Sequence, residues 1–490
     1  MTVSSRIAAG TVRRTLVTAG GLSLTSYAVN FVLQFALPRV LLSRWSDGGY
    51  AIYVAIVGYT GYLSVADAGV QNYLSQRLVA LKETKRDGEY AALAHGGLRA
   101  LVSLAAFGVG GIAVWWAVFG SLVVRGLARR AGLAEGAVFL AVVGQLVANG
   151  VALAWSGWSV GVEQATARYA RSQFFGLLRS GLGTGTVLVA ALAGAGTVRS
   201  ILAGVVATFV VDGYRFLSAR RWVPRTADRV PAKDVIVGAR GGLVLMVAMA
   251  TQGSLLPAIA ASIAPLAVGA AVPGRTVSNA TRVLASSVQN VIWTPLAARL
   301  AAEERGDQAF SFWRRNAPLL SLVQFLGLPV LTLVAPFVVP RWLPTKSHEL
   351  LGLLPIYCVE QALFAAAVPA QMLLLATGRF GRAGSAFLAA SLISVGLSVV
   401  TMPRLGALGF AVSTLAGTAL GHVPVVTALE WRYWRGRGQE PFRIIAPRLG
   451  IAAVAALSGP LMLWSAPGAT AFLAVLLLVF GAHVRRQRRG

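Results

Sequence analysis

Apolar runs of about twenty residues alternate along this chain with short stretches that collect Arg, Lys, Asp and Glu. A helix crosses the hydrocarbon of a bilayer with ~20 such residues. Scanned with a window of about 19 residues, the pattern predicts about fourteen crossings. They lie at Thr18–Val40, Tyr50–Val70, Leu98–Val123, Ala137–Trp158, Phe174–Ala195 and Ser200–Leu217. A second set lies at Gly241–Ile263, Leu266–Ile292, Leu319–Val339, Leu351–Ala376, Ser385–Met402 and Ala407–Ala428. Leu449–Trp464 and Ala469–Ala482 complete them. The runs are continuously apolar, and barrel strands would alternate over ~10 residues, so the spans are expected to be helical. The predicted class is an all-α polytopic membrane protein.

Composition agrees. Of 490 residues, 56% are hydrophobic and 12% charged, whereas water-soluble domains carry about 25% charged residues. A net charge of +27 first suggests nucleic acid, but its distribution argues otherwise. With the N-terminus placed inside, the inside loops hold 29 basic residues and the outside loops 8. Cytoplasmic loops are enriched in Lys and Arg, so both termini are expected in the cytoplasm of a bacterial cell (inner) membrane. The expected contacts are membrane lipids, with no nucleic acid. One cysteine, Cys358, and four scattered histidines give no metal-ligand spacing, and no metal or cofactor is expected.

The two halves resemble each other at a shift of about 220 positions. Gly20-Gly21-Leu22 opens the first span and Gly241-Gly242-Leu243 the seventh, and Pro38 has a counterpart in Pro257. Arg77-Leu78-Val79-Ala80 follows the second span as Arg299-Leu300-Ala301-Ala302 follows the eighth. Six spans per repeat insert both halves in the same sense, related by an axis along the membrane normal. The expected domains are a six-helix lobe over 1–235, a second over 236–435, and two extra helices with a basic tail over 436–490.

No outside loop is long enough to fold a catalytic domain, and no phosphate-binding glycine loop occurs. Transport within the helix bundle, not enzymatic catalysis, is the expected activity. A charge at bilayer depth costs ~2.5–3.5 kcal/mol and faces a cavity or a partner. Arg275 and Arg282 are two helical turns apart, with Asn279 between them. At 1.5 Å per residue they lie ~13 Å and ~24 Å along the eighth span. Two guanidinium groups on one stripe suit a phosphate or pyrophosphate; a structural ion pair with Asp67 or Asp212 is the other reading. Arg179 is a weaker cavity candidate. Tyr27, Asn30 and Gln34 share a face of the first span, as cavity lining or as helix–helix glue. Glu360 and Asp67 are the acids that could carry a coupling H⁺ or Na⁺; Asp67 equally suits a cap. Asp212 and Arg215 are expected to pair locally.

Trp45-Ser46-Asp47-Gly48-Gly49-Tyr50-Ala51-Ile52-Tyr53, followed by Leu63-Ser64-Val65-Ala66-Asp67-Ala68-Gly69-Val70, resembles the first two spans of bacterial polysaccharide flippases. Ala51 stands where glycine is usual. Leu373-Leu374-Leu375-Ala376-Thr377-Gly378-Arg379 resembles the end of their tenth span, and Leu405-Gly406-Ala407-Leu408-Gly409-Phe410-Ala411 with Ser413-Thr414 the start of their twelfth. The matches extend over about Arg13 to Arg435. The resemblance implies membership of the multidrug/oligosaccharidyl-lipid/polysaccharide exporter superfamily. It implies alternating access by two six-helix lobes, which moves a lipid-linked oligosaccharide from the inner to the outer leaflet. Polysaccharide assembly proteins become candidate partners. The family uses cavity cations for the ligand's pyrophosphate; Arg275 and Arg282 fit by chemistry and depth, outside the matched motifs. Fourteen spans also resemble peptidoglycan-precursor flippases. A drug/cation antiporter of the same superfamily is the rival, and would favour acids over arginines in its cavity.

Overall fold

The computed structural model describes residues 25–282 and 307–452, apart from 27, 68, 116–124, 127, 130–131, 227, 229, 378, 443–444 and 451. Every regular element among them is helical. Among the described residues, nine helices are long and apolar enough to cross a membrane. Large apolar side chains such as Phe107, Val189, Val210, Leu392 and Leu420 lie exposed along them. Such belts are stable against lipid and would aggregate in water. The chain is a multi-pass membrane protein of the all-α class.

The elements run in order as follows. Helix α1 covers 28–44. Helix α2 is Asp47–Gly61, prolonged by a 3₁₀ stretch Tyr62–Asp67, and α3 is Val70–Glu83. Then come α4 Asp87–Trp115, α5 Glu135–Ala165, α6 Tyr169–Leu192, α7 Thr197–Ala219 and α8 Ala232–Ala239. Helix α9 is Leu243–Ile263 and α10 is 265–282. They are followed by α11 Asp307–Trp342, α12 Ser347–Ala376, α13 Phe380–Leu405, α14 Ala407–Arg435 and α15 at 445–450. The predicted second to seventh spans fall in α2, α4, α5, α6, α7 and α9, and the tenth to twelfth in α12, α13 and α14. The start of the first span, the end of the eighth beyond Arg282, the thirteenth beyond Ala452 and the whole fourteenth lie outside the described residues.

The chain forms two compact units, Met1–Ala258 and Ile259–Gly490. In the first, small residues let helices touch backbone to backbone, as membrane packing favours. A methyl on Gly58 of α2 would come within 2.5 Å of the Ser254 carbonyl in α9. The indole of Trp158 in α5 donates to the Ala94 carbonyl of α4 at 2.8 Å. The aspartate–glycine pair of the sequence motif has a local cause. Asp67 Oδ1 accepts the Gln71 amide at 2.9 Å, so a side chain takes up one of the orphan donors at the start of α3. Gly69 has φ +81°, a conformation that favours glycine. Its missing Cβ also makes room for Gly242, whose Cα would lie 2.9 Å from it.

In the second unit, α12 is the most deeply buried of the nine apolar helices. Helix α10 reaches it through Gly274, where a methyl would sit 2.8 Å from the Tyr357 ring. Tyr357 donates its hydroxyl to the Ala271 carbonyl at 2.8 Å. Helix α14 opens into a π-turn at Gly417–His422. There Gly417 and Gly421 pack on Ala390 of α13, leaving no space for a Cβ. Similar π-turns interrupt α5 at Ala152–Ser156 and α9 at Thr251–Leu255. Such turns recur at functional positions of helices.

Candidate functional site

The second unit gathers polar side chains from α10, α11, α12 and α14 inside an apolar bundle. Arg275, Asn279 and Arg282 stand on one stripe of α10, all half-buried. The stripe follows from spacing, since residues three and four apart share a helical face. Glu360 of α12 is buried, at 4% exposure. It accepts the Thr414 hydroxyl at 3.0 Å, and Thr418, Arg275 and Arg282 also act on its carboxylate. The Arg282 guanidinium sits 3.7 Å from the Phe364 ring centroid, a cation–π contact that strengthens away from water. His422 is stacked on Phe364 and tilted against Phe387, with ring centroids 5.1 Å and 4.4 Å away.

Three amides continue this site. Gln324 of α11 donates to Gln361 Oε1 at 3.0 Å, and Gln361 Nε2 donates to Asn279 Oδ1 at 3.0 Å. Gln324 and Gln361 are 0% and 1% exposed. The site as a whole holds two cations, one carboxylate and a row of amides and hydroxyls. Cationic forks of this kind bind carboxylate or phosphoryl oxygens with two parallel hydrogen bonds.

The first unit uses its charges differently. Arg215 of α7 donates to Glu163 of α5 at 3.1 Å and 2.5 Å, and to Ser156 and Ser172 at 2.9 Å and 3.0 Å. Arg171 approaches the same carboxylate at 3.5 Å and donates to Ser218 at 2.6 Å. Arg179 pairs with Asp212 at 3.0 Å. The expected Asp212–Arg215 bond therefore gives way to two interhelical pairs. Longer reach lets Arg215 find Glu163 across the packed α5–α7 face.

The sequence-derived residues thus separate. Arg275, Asn279, Arg282 and Glu360 come together; Arg179 is held in an ion pair of the other unit, and Asp67 caps a helix. Asn30 is half-buried and lies 3.5 Å from the Ser26 hydroxyl; Gln34 is exposed. Tyr27 lies outside the described residues. Hydropathy does not reveal Glu163, because the apolar run of the fourth span ends at Trp158, whereas α5 continues to Ala165 through its π-turn. Gln324 and Gln361 were visible only as polar letters in apolar runs, Gln361 directly after Glu360.

No family model matches the sequence, and no curated protein does. Solved structures do match. A lipid II flippase, MurJ, in an inward closed conformation is similar with a TM-score of 0.67 at 11% identity, over 97% of this chain and 100% of that one. The multidrug transporter DinF-BH in complex with R6G is similar with a TM-score of 0.58 at 13% identity, over 85% and 95%. An inward-facing multidrug resistance MATE transporter of the MOP superfamily gives 0.55 at 13% identity, over 84% and 98%. The chain therefore has the all-helical fold that the lipid II flippase and the multidrug transporters of the MOP superfamily share.

Proposed function

We propose that this protein is a flippase for a lipid-linked oligosaccharide or polysaccharide precursor, carrying it from the inner to the outer leaflet by alternating access. The observation that carries the reading is the α10 stripe, in which Arg275 and Arg282 face the same side with Asn279 between them. A pyrophosphate linkage offers the acceptor oxygens and negative charge that two guanidinium groups bind. The lipid tail can stay in the hydrocarbon while the charged linkage is compensated within the bundle. A drug or cation antiporter fits less well, because the site offers more cationic than anionic groups to its ligand.

The charge bias of the loops supports a bacterial inner membrane with both termini in the cytoplasm. Glu360 is the proposed carrier of the coupling ion, H⁺ or Na⁺, since it is the carboxylate that answers the two arginines. A peptidoglycan lipid precursor is the second substrate reading. The likeness to a lipid II flippase over 97% of the chain favours it, against 84% for a multidrug transporter. Deleting the gene decides. Lipid-linked saccharide should accumulate on the inner leaflet, and its chemical identity separates the two substrates. Undisturbed delivery of all such lipids to the outer leaflet would refute both.

A further inference from the structure

The three amides have a direction. A side-chain amide ends in a carbonyl oxygen that accepts and an NH₂ group that donates, and the two ends can exchange by a half-turn. One contact fixes which way this row runs. Gln324 Nε2 lies 3.3 Å from the backbone carbonyl of Gln361, and a backbone carbonyl only accepts. That end of Gln324 is therefore the donor. It gives its second hydrogen to Gln361 Oε1 at 3.0 Å. Gln361 is left to donate from Nε2 to Asn279 Oδ1 at 3.0 Å. Asn279 then has its oxygen occupied, and its NH₂ group is the end left for other partners. Among the described residues no hydrogen bond from that Nδ2 occurs.

The consequence concerns ligand choice. Asn279 stands four residues after Arg275 and three before Arg282 on the stripe. A guanidinium donates and never accepts. With Asn279 turned as the relay turns it, the stripe presents two guanidinium groups and an NH₂ group as donors, and the one oxygen on it is already engaged by Gln361. Reversing Asn279 would set its NH₂ against the NH₂ of Gln361, leaving buried donors unmatched at a cost of ~1–3 kcal/mol. Gln324 and Gln361 are fully buried, so water does not relieve that mismatch at the Gln361 end.

We propose that Gln361, itself held by Gln324, is a positioning residue that locks Asn279 as a hydrogen-bond donor. It thereby restricts the stripe to acceptor-rich anionic groups, phosphoryl oxygens above all, against cations. The inference deepens the flippase reading and rests on it for the role of the stripe.

The test is a double-mutant cycle on the full chain in lipid nanodiscs, with inorganic pyrophosphate as the probe and calorimetry as the readout. Asn279→Ala should weaken binding about tenfold, the size of one lost hydrogen bond to a charged group. Gln361→Met should weaken it several-fold while the arginines remain. The double variant should bind no more weakly than Asn279→Ala alone, because the relay acts only through Asn279. Binding of tetraphenylphosphonium, a cation without donors, should not fall in any of these variants. If Gln361→Met does not fold, Gln324→Met enters the same cycle one bond further back. Additive losses would overturn the relay, as would wild-type affinity in Gln361→Met, or a wild type that ignores pyrophosphate. Normal lipid delivery in the gene deletion, alongside a coupled cycle, would sink the flippase reading and leave the relay standing.

Discussion

The two units bury comparable numbers of charges, and one cluster in each is arranged to opposite effect, although the second unit also holds a buried ion pair, Glu430 with Arg448. In the first, Glu163 and Asp212 are each met by an arginine at hydrogen-bond distance. Arg215 is 3% exposed, Glu163 is 0% exposed, and two serines accept further hydrogen bonds from the guanidinium. In the second, Arg275 and Arg282 share Glu360 with two threonines, and aromatic rings and amides supply the rest of the lining. A closed set of pairs joins helices; breaking it leaves an uncompensated charge in a low-dielectric interior. A cluster with two guanidinium groups and one carboxylate carries excess positive charge, which suits the anionic ligand proposed above. Position in the bilayer alone does not distinguish a structural arginine from a binding one. In the first cluster Arg215 is held by a carboxylate at hydrogen-bond distance, whereas in the second Arg282 lies over an aromatic ring.

The contrast can be broken most forcefully in the first unit. Arg215→Met leaves Glu163 with only the longer contact to Arg171, and should cost about 3–5 kcal/mol of stability. A thermal melt in detergent reads it. Adding Glu163→Met should recover most of the loss. A double variant as unstable as the single would show that the pair is not what Arg215 supplies. In the second unit the expected effect on stability is smaller. Arg282→Lys keeps the charge but loses the guanidinium's contact over the Phe364 ring, a cation–π interaction worth about 0.5–2 kcal/mol. Lipid export should fall more than the melting temperature does, and equal losses of both would place Arg282 with the structural arginines. The smallest effect is expected at the helix cap. Asp67→Ala removes the acceptor for the Gln71 amide and should cost ~1 kcal/mol. Asp67→Asn, which keeps an acceptor oxygen, should cost less and leave export unchanged. Loss of export in Asp67→Asn would return Asp67 to the transport mechanism.

Much of the fold was legible because apolar length is a strong signal. Tyr50–Val70 became α2 with its 3₁₀ extension, and Gly241–Ile263 became α9. Hydropathy fails where polar residues are satisfied inside the bundle. Glu163 lay beyond the expected end of its span because a charge normally closes an apolar run, yet Arg215 and Arg171 compensate it there. The Arg275–Asn279–Arg282 stripe was legible from helical periodicity within one element. Its neighbours were not, because Gln324 and Gln361 reach it from other helices, and one sequence carries no record of which faces meet. Asp212 shows the same limit. Local spacing favoured Arg215, three residues on, whereas packing of α6 on α7 brought Arg179 to 3.0 Å.

The central claim is that the α10 stripe carries a lipid-linked saccharide across the membrane while the arginines of the first unit hold the structure. It is tested most directly by the leaflet distribution of that lipid in spheroplasts. The assay reads its accessibility to an externally added, membrane-impermeant sugar-labelling reagent. The gene-deleted strain would be complemented by the wild-type chain or by the Arg275→Ala/Arg282→Ala double variant, at matched amounts in the membrane. Labelling restored by the wild type and absent with the double variant is the predicted result. Equal labelling with both would contradict the claim.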